Sequence, residues 1–334
     1  MVDFRRLRPL DVALWVVAVL VLVLGAYLGW SVWSHNRSVV VSTPASRAVE
    51  DIKANLKKDP NNLVLRMSYA QALLVAGRQN EAVEQYKAIL KVKKEYTPAL
   101  SGLGFLAMTD KDWKTGEKYF RKVTEILSGT ENAGRSKSLE TAYFYLGTAL
   151  MEQRNYEDAI AYLKEALRIR RDASDTYYAL AYCYKQLDSP KKYRENLEAT
   201  LAFDPKMPEA NYDIALLLLE EGDVGRAAEH LRTSIDNAPD VEKPRAELEK
   251  LGPFAARLSA AQKLASTEAT KALTDARVAA ALEPKNLDAL RLLGSLWEKT
   301  GDAESARGVY ERILTIAPGD PTATKALERL ANAS

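Results

Sequence analysis

The chain has one cysteine, Cys183, and two histidines, His35 and His230, among its 334 residues. A single cysteine excludes a disulfide, a multi-cysteine zinc site and a redox pair within the chain. The histidines lie far apart, and neither has the neighbours of a metal site or a catalytic triad. A glycine-rich phosphate loop is also missing. The sequence therefore predicts no cofactor and no enzymatic activity.

The chain also lacks an excess of charge, with 47 Lys and Arg against 45 Asp and Glu. Net charge therefore points to no class of partner. The basic run at residues 91–94 and the group Arg168, Arg170 and Arg171 are interpreted as solvated surface. Because no aromatic-interleaved basic module accompanies them, nucleic acid is not an expected partner.

One long hydrophobic run is present at residues 12–33, where 22 positions carry no charge. As a helix this run would rise about 33 Å, which matches the hydrocarbon core of a bilayer. Arg5, Arg6 and Arg8 precede it, so the positive-inside rule predicts a cytoplasmic N-terminus at residues 1–11. We expect a single-pass protein of the plasma (inner) membrane with the rest of the chain extracytoplasmic; the alternative is a cytoplasmic location for that rest.

Gly25 and Gly29 lie four residues apart in this run. Two small residues at this spacing permit close backbone contact, so one interpretation is a homodimer through this pair. The alternative is an ordinary lipid-facing glycine pair, since glycine is frequent in membrane helices. Residues 34–44, which follow the run, would form a juxtamembrane linker.

Beyond residue 44 apolar residues recur at spacings of three and four, which is typical of helices, and a longer period of 34 residues is superimposed. The register follows from Leu103-Gly104, Leu146-Gly147 and Leu293-Gly294, and from Ala82, Ala159, Ala227 and Ala306. The predicted units are 63–96, 97–130, 140–173, 174–207, 208–241, 253–286 and 287–320. A half unit at 45–60 would precede them, and a capping helix at 321–332 would follow.

This pattern resembles the tetratricopeptide repeat (TPR) family, whose unit combines Leu-Gly or Leu-Ala in its first helix with an alanine, an aromatic residue and a terminal proline around its second. Gly147 and Gly294 would permit close helix approach, and Gly301 would turn the chain. The resemblance implies a right-handed TPR α-solenoid of about seven helix pairs in residues 45–334. With the N-terminal transmembrane helix predicted at residues 12–33, the expected fold class is all-α.

Two intervals depart from the period. Nine extra residues fall in the Gly- and Ser-rich stretch 128–138, which predicts a loop. Eleven extra residues precede Pro253, and we interpret them as a hinge between the fifth and sixth units. Pro190 and Tyr193 replace the usual residues of the fourth unit and predict a distortion there.

In the family, first-helix residues line the concave face of the stack, so the resemblance implies a binding groove there. The expected lining is Met67, Ser68, Gln71, Phe105, Met108, Phe144, Tyr145, Thr148, Met151, Tyr178, Tyr182, Lys185, Tyr212, Asp213 and Leu216. Tyrosine offers an apolar face with a hydroxyl that can reach a peptide backbone, while methionine adapts to irregular surfaces. The alternative is that these residues pack between units.

We therefore expect a membrane-tethered scaffold, or an assembly or secretion adaptor, that binds protein or peptide segments in the groove. The alternative is a permanent structural subunit of a multiprotein membrane complex. The Lys and Asn residues with which the family clamps a C-terminal carboxylate are not evident, because Met67, Phe105 and Phe144 stand in that region. An acidic chaperone tail is thus not an expected partner.

Overall fold

A computed structural model of the protein describes residues 44–332, whose regular elements are seventeen α-helices and one short 3-10 helix. The chain divides into two compact units, residues 1–103 and residues 104–334. The expectation of an all-α repeat fold is confirmed for the described residues. The partition into seven units with their stated boundaries stays a prediction.

The described part of the first unit consists of three helices and the start of a fourth. They are α1 (Pro44–Lys58), α2 (Leu63–Val75), α3 (Gln79–Val92) and α4 (Thr97–Thr109), and the boundary between the units falls inside α4. The core of this unit is apolar and fully or almost fully buried, with Val49, Tyr69, Leu73, Tyr86 and Ile89 as its large members.

The second unit contains the remaining helices. They are α5 (Trp113–Ser128), α6 (Lys137–Glu152), α7 (Tyr156–Ile169), α8 (Ser174–Gln186), α9 (Pro190–Phe203), α10 (Pro208–Glu220), α11 (Val224–Asn237), α12 (Glu242–Lys250), α13 (Phe254–Leu264), α14 (Ala269–Leu282), α15 (Leu287–Thr300), α16 (Ala303–Ile316) and α17 (Pro321–Asn332). The 3-10 helix, Ala133–Arg135, lies between α5 and α6.

Polar residues start several helices because their side-chain oxygens accept hydrogen bonds from backbone N–H groups that lack a partner in the helix. Asp112, Asp223 and Asp302 each accept from the N–H three residues later, at 3.2, 3.1 and 2.9 Å. Pro190 is the first residue of α9, where proline fits because no intrahelical N–H is needed. The fourteen-residue helix α9 is regular, so the distortion expected at Pro190 is not found.

In six helix pairs the turn between the two helices contains one residue with positive φ. Gly77, Gly222 and Gly301 supply it with φ of 73°, 80° and 89°, and Lys111, Arg154 and Asp188 do so with φ of 59°, 63° and 48°. The predicted turn at Gly301 is confirmed. Glycine adopts this conformation without strain, whereas a residue with a Cβ loses about 1 kcal/mol.

Close approach of paired helices depends on Gly147 and Gly294. A Cβ added to Gly147 would lie 2.7 Å from Leu163 Cγ, and one added to Gly294 would lie 2.7 Å from Tyr310 Cε1. These distances are too short for contact between carbon atoms, so the predicted role of both glycines is confirmed. The alanines that set the register of the repeat are fully buried: Ala82, Ala159, Ala227 and Ala306.

The stretch before Pro253 that we interpreted as a hinge contains α12. This helix packs against α11, and its Pro244 and Leu248 are buried. The division between compact units lies elsewhere, inside α4. The hinge interpretation is therefore wrong, because apolar side chains of the extra residues are held against the preceding helix.

After this insertion the stack resumes by a direct contact between α14 and α11. A Cβ on Gly225 would lie 3.3 Å from Arg277 Cδ, which shows how closely the two helices approach. Arg277 Nε donates a hydrogen bond to Glu229 Oε1 at 2.6 Å across the same contact.

The prediction of a membrane-spanning protein requires correction. No helix among residues 44–332 is long and apolar enough to cross a membrane, since the longest have 16 residues and a span needs about 20. The helix predicted at 12–33, with its Gly25 and Gly29 pair, lies outside the described residues. The fold class is corrected to an all-α TPR fold without a membrane span in its described part, and the predicted localisation as a single-pass membrane protein is withdrawn.

Candidate functional site

An open cleft of about 400 Å³ lies between α8, α10 and α12 in the second unit. Its lining combines aromatic and aliphatic side chains with charged and polar ones: Tyr178, Tyr182, Lys185, Gln186, Pro208, Glu209, Tyr212, Asp213, Leu216, Ser234, Val241, Lys243 and Pro244. We call it the tyrosine cleft. Its volume lies within the range typical of ligand-binding clefts.

Helical periodicity explains how the cleft forms. Tyr178, Tyr182 and Lys185 follow one another at spacings of four and three, so they share one face of α8. Tyr212 and Leu216 do the same on α10. The six residues predicted on these two helices, including Asp213, therefore meet in one place.

Asp213 is the polar centre of the cleft. Its Oδ2 accepts a hydrogen bond from the Tyr178 hydroxyl at 3.1 Å, and its Oδ1 accepts one from Lys185 Nζ at 3.0 Å. Lys185 Nζ also lies 5.0 Å from the centre of the ring of the buried Tyr193. One carboxylate thus fixes two side chains of α8.

The tyrosines around Asp213 remain neutral hydroxyls. Burial, followed by the nearby Asp213 charge, raises the pKa of both Tyr178 and Tyr193. Burial also raises the pKa of Tyr212, with smaller contributions from Glu247 and Asp213. The cleft therefore offers uncharged aromatic surfaces at any physiological pH.

Part of this lining is open to a partner. Tyr182 is 41% exposed and Val241 is 46% exposed. Tyr182 also contacts Tyr156 edge-on, with 6.5 Å between ring centres, and this contact restricts its orientation. An exposed but ordered aromatic ring is the usual anchor of a protein interface.

The predicted residues of α4 and α6 lie in a separate place. Phe105 and Phe144 contact Tyr145 edge-on, at 4.7 and 5.2 Å between ring centres, and Tyr145 stacks on the fully buried Phe120. Met108 covers Gly116, where an added Cβ would lie 2.7 Å from the methionine sulfur. These residues pack together, as the alternative interpretation proposed, although Phe105 is still 37% exposed.

Phe144 and Tyr145 also line a second concavity, of about 540 Å³. Its other residues are mostly charged: Arg135, Lys137, Glu140, Thr141, Ile169, Arg170 and Asp175. We call it the basic pocket. It shares no residue with the tyrosine cleft.

The remaining predicted residues join neither concavity. Met67 and Ser68 are half-buried and Gln71 is exposed on α2 of the first unit, while Thr148 and Met151 are half-buried on α6. Within residues 44–332, no group of three or more His, Cys, Asp and Glu side chains could hold a metal ion.

Sequence reasoning missed residues that come from the two insertions. Lys243 and Pro244 reach the tyrosine cleft from the extra residues before Pro253, and Val241 reaches it from the end of the fifth predicted unit. Arg135 and Lys137 reach the basic pocket from the extra stretch 128–138. The signal was the departure from the 34-residue period, which we had interpreted as a loop and a hinge.

The chain matches two family models, each described as tetratricopeptide repeat. One matches residues 96–172, and the other matches residues 194–242 and 260–321, so that together they cover more than half of the chain. The chain therefore belongs to the tetratricopeptide repeat family. Domains of this family are scaffolds that bind protein or peptide partners, and they are generally without enzymatic activity.

Among known proteins, the chain is similar to human trafficking protein particle complex subunit 12, with 33% identity over 144 residues. It is also similar to rat sperm-associated antigen 1, with 28% identity over 125 residues. These alignments cover 42% and 31% of the present chain, and 19% and 14% of the relatives. The chain thus spans about a fifth or less of their length.

Among solved structures, the chain is similar to YrrB, which is described as a TPR protein with an unusual peptide-binding site. It has 18% identity and a TM-score of 0.47, covering 60% of this chain and 98% of YrrB. MamA from Desulfovibrio magneticus RS-1 has 18% identity and a TM-score of 0.46, covering 53% of this chain and 96% of MamA.

Proposed function

We propose that the chain is a protein-interaction scaffold that holds a peptide segment of another protein in the tyrosine cleft, by binding and without catalysis. The observation that carries this proposal is the convergence of Tyr178, Tyr182 and Tyr212 on one open cleft whose polar centre is already satisfied by internal hydrogen bonds. Because Asp213 engages Tyr178 and Lys185, the free surface of the cleft is mainly aromatic and aliphatic.

The preferred occupant is a segment with one aromatic or large aliphatic side chain. Such a side chain would pack against Tyr182, Leu216 and Val241, where burial of apolar area is the main source of affinity. The lining carries Lys185 and Lys243 but also Glu209 and Asp213, so the cleft has no net preference for a charged segment.

A photocrosslinking experiment tests where partners bind. A benzoylphenylalanine in place of Tyr182 should capture a discrete partner in cells. The matched control places it at Phe203, which is 50% exposed on α9 and lies outside the cleft. Equal capture at both positions would show that exposure alone determines the crosslinks.

The captured partner then permits a quantitative test by calorimetry. Tyr182→Ala combined with Tyr212→Ala should weaken binding at least about 30-fold, because loss of an aromatic anchor removes about 2 kcal/mol or more. Phe203→Ala, which removes an equally exposed ring, should change the Kd less than about twofold. Unchanged affinity in the double variant would contradict the proposal.

The second candidate function is a permanent subunit of a multiprotein complex. The similarity to a subunit of the trafficking protein particle complex favours it, although it covers only 42% of this chain. Tyr178→Ala combined with Tyr182→Ala distinguishes the two. Loss of brief client capture with the assembly intact supports a scaffold for transient clients, whereas loss of a stoichiometric complex during purification supports a permanent subunit.

A further inference from the structure

The basic pocket is formed by the first insertion, residues 128–138. After the 3-10 helix Ala133–Arg135, Ser136 caps α6 by accepting a hydrogen bond from the N–H of Leu139 at 3.2 Å. Leu139 is 2% exposed and anchors this end of the insertion in the core. Arg135 and Lys137, both exposed, are therefore held on either side of the cap at the edge of the pocket.

Arg170 is a third cation of the pocket, and its orientation is fixed. Its Nε and one terminal nitrogen lie 3.1 and 3.0 Å from Oε1 of Glu140, and its side chain is half exposed. Glu140 itself is 4% exposed, and its Oε2 accepts a further hydrogen bond from Thr141 at 3.4 Å. The buried carboxylate of Glu140 thus positions one edge of the Arg170 guanidinium group. The rest of the group is left toward the pocket opening.

The apolar part of the pocket is Phe144, Tyr145 and Ile169, all half-buried. Tyr145 is held by ring contacts with Phe105 and Phe120 at 4.7 and 5.2 Å. A fixed aromatic surface loses little conformational entropy when a side chain packs on it.

The charge of the pocket is not balanced internally. The side chains of Arg135 and Lys137 have no ion pair or hydrogen bond within the described range 44–332. Among the lining residues, Glu140 is engaged by Arg170, and Asp175 is the other carboxylate. Arg135 and Lys137 are therefore unpaired, and Arg170 is paired with Glu140 but half exposed. The only unpaired carboxylate among the lining residues is that of Asp175.

We propose that the basic pocket is a second docking site, for an internal segment of a partner protein in which carboxylates flank an aromatic residue. The ring would pack on Phe144 and Ile169, and the carboxylates would pair with Arg135 and Lys137. This site is independent of the tyrosine cleft, whose lining charges are balanced. A nucleic acid is the less favoured occupant, because Glu140 and Asp175 would repel successive phosphates.

The test uses the purified chain and blocked hexapeptides with no terminal charge. The acidic aromatic peptide is DEFDED, its uncharged counterpart is NQFNQN, and its counterpart without the ring is DEADED. Fluorescence polarisation should show binding of DEFDED at 50 mM salt that weakens about fivefold or more at 300 mM, as expected for exposed ion pairs. Both counterparts should bind at least about tenfold more weakly.

Matched variants then locate the binding. Arg135→Glu combined with Lys137→Glu should weaken DEFDED binding at least about tenfold, whereas Arg135→Lys combined with Lys137→Arg should retain it. The control is Lys118→Glu combined with Lys122→Glu, which makes the same change of charge on exposed residues of α5 that do not line the pocket. Circular dichroism checks that the helices are intact in each variant.

Several results would overturn the proposal. They are absence of DEFDED binding to the unaltered chain, an equal loss in the α5 control, and a loss caused by Tyr182→Ala with Tyr212→Ala, which would place the peptide in the tyrosine cleft. Tighter binding of a 15-residue oligothymidylate that the Arg135 and Lys137 variant abolishes would assign the pocket to nucleic acid instead. None of these outcomes depends on the partner sought for the tyrosine cleft.

Discussion

The tyrosine cleft and the basic pocket are both formed at insertions into the repeat, and they differ in their electrostatics. Each arises where extra residues interrupt the 34-residue period, α12 in one case and the stretch 128–138 in the other. In the cleft, Asp213 is the acceptor for side chains that line the cleft. In the pocket, Glu140 pairs with Arg170 but with neither Arg135 nor Lys137, which have no partners. A regular repeat thus supplies the frame, and each insertion determines the charge of its site.

The largest expected effect is on the core beneath the basic pocket. Phe120→Ala removes a fully buried ring beneath Tyr145 and should destabilise the second unit by about 3 to 5 kcal/mol. The urea midpoint of unfolding measures this loss. Phe120→Leu, which refills most of the space, should lose much less, and an equal loss in both variants would show that cavity formation is not the cause.

A smaller effect compares two carboxylates, the partly buried Asp213 and the buried Glu140. Asp213→Ala leaves Tyr178 and Lys185 without their acceptor and should lower the free energy of unfolding by about 2 to 3 kcal/mol. Glu140→Ala should lower it by only about 1 kcal/mol, because Arg170 is half exposed and can turn to water. Urea denaturation of both variants checks the order, and a larger loss for Glu140→Ala would contradict it.

The turns within the helix pairs α6–α7 and α10–α11 provide the third comparison. Arg154 precedes α7 with φ of 63°, and Gly222 precedes α11 with φ of 80°. Arg154→Gly should stabilise the fold by up to about 1 kcal/mol, while Gly222→Ala should destabilise it by about 1 kcal/mol. Thermal unfolding gives both values. Shifts of the same sign would show that backbone strain does not control these turns.

The smallest effect near neutral pH concerns the raised pKa of Tyr178. The stabilisation from its neutral hydroxyl is fully present below the ordinary tyrosine pKa of about 10, and it is lost as pH rises toward the higher pKa of the folded state. The urea midpoint should therefore fall between pH 9 and pH 11, and Tyr178→Phe should reduce that fall. An identical fall in the variant would exclude Tyr178 as a contributor.

Several features of the fold were predictable because they depend on local chemistry. Gly147 and Gly294 recur at a fixed position, and only a residue without a side chain fits against Leu163 and Tyr310. The stripe of Tyr178, Tyr182 and Lys185 follows from helical spacing alone. Whether this stripe and its counterparts bind a partner stays a prediction.

Other features were not predictable from single helices. Phe105 and Met108 were expected in the groove; they contact Phe120 and Gly116, and whether they also bind a partner stays a prediction. Contact of this kind depends on which neighbour arrives from the next helix, and helical spacing does not contain that information. The hinge expected before Pro253 failed for a similar reason, since its extra residues find a surface on α11 that buries Pro244 and Leu248.

By itself the sequence determined the helical class, the repeat period and the positions that must be small, because these follow from backbone geometry and steric limits within a few turns. Only the tertiary structure decided that the insertions line concavities, that Asp213 joins α8 and α10, and that Arg135 and Lys137 stand unpaired beside an aromatic surface. The reason is physical: charge balance and burial are set by residues distant in the chain, and they are determined only when those residues are packed together.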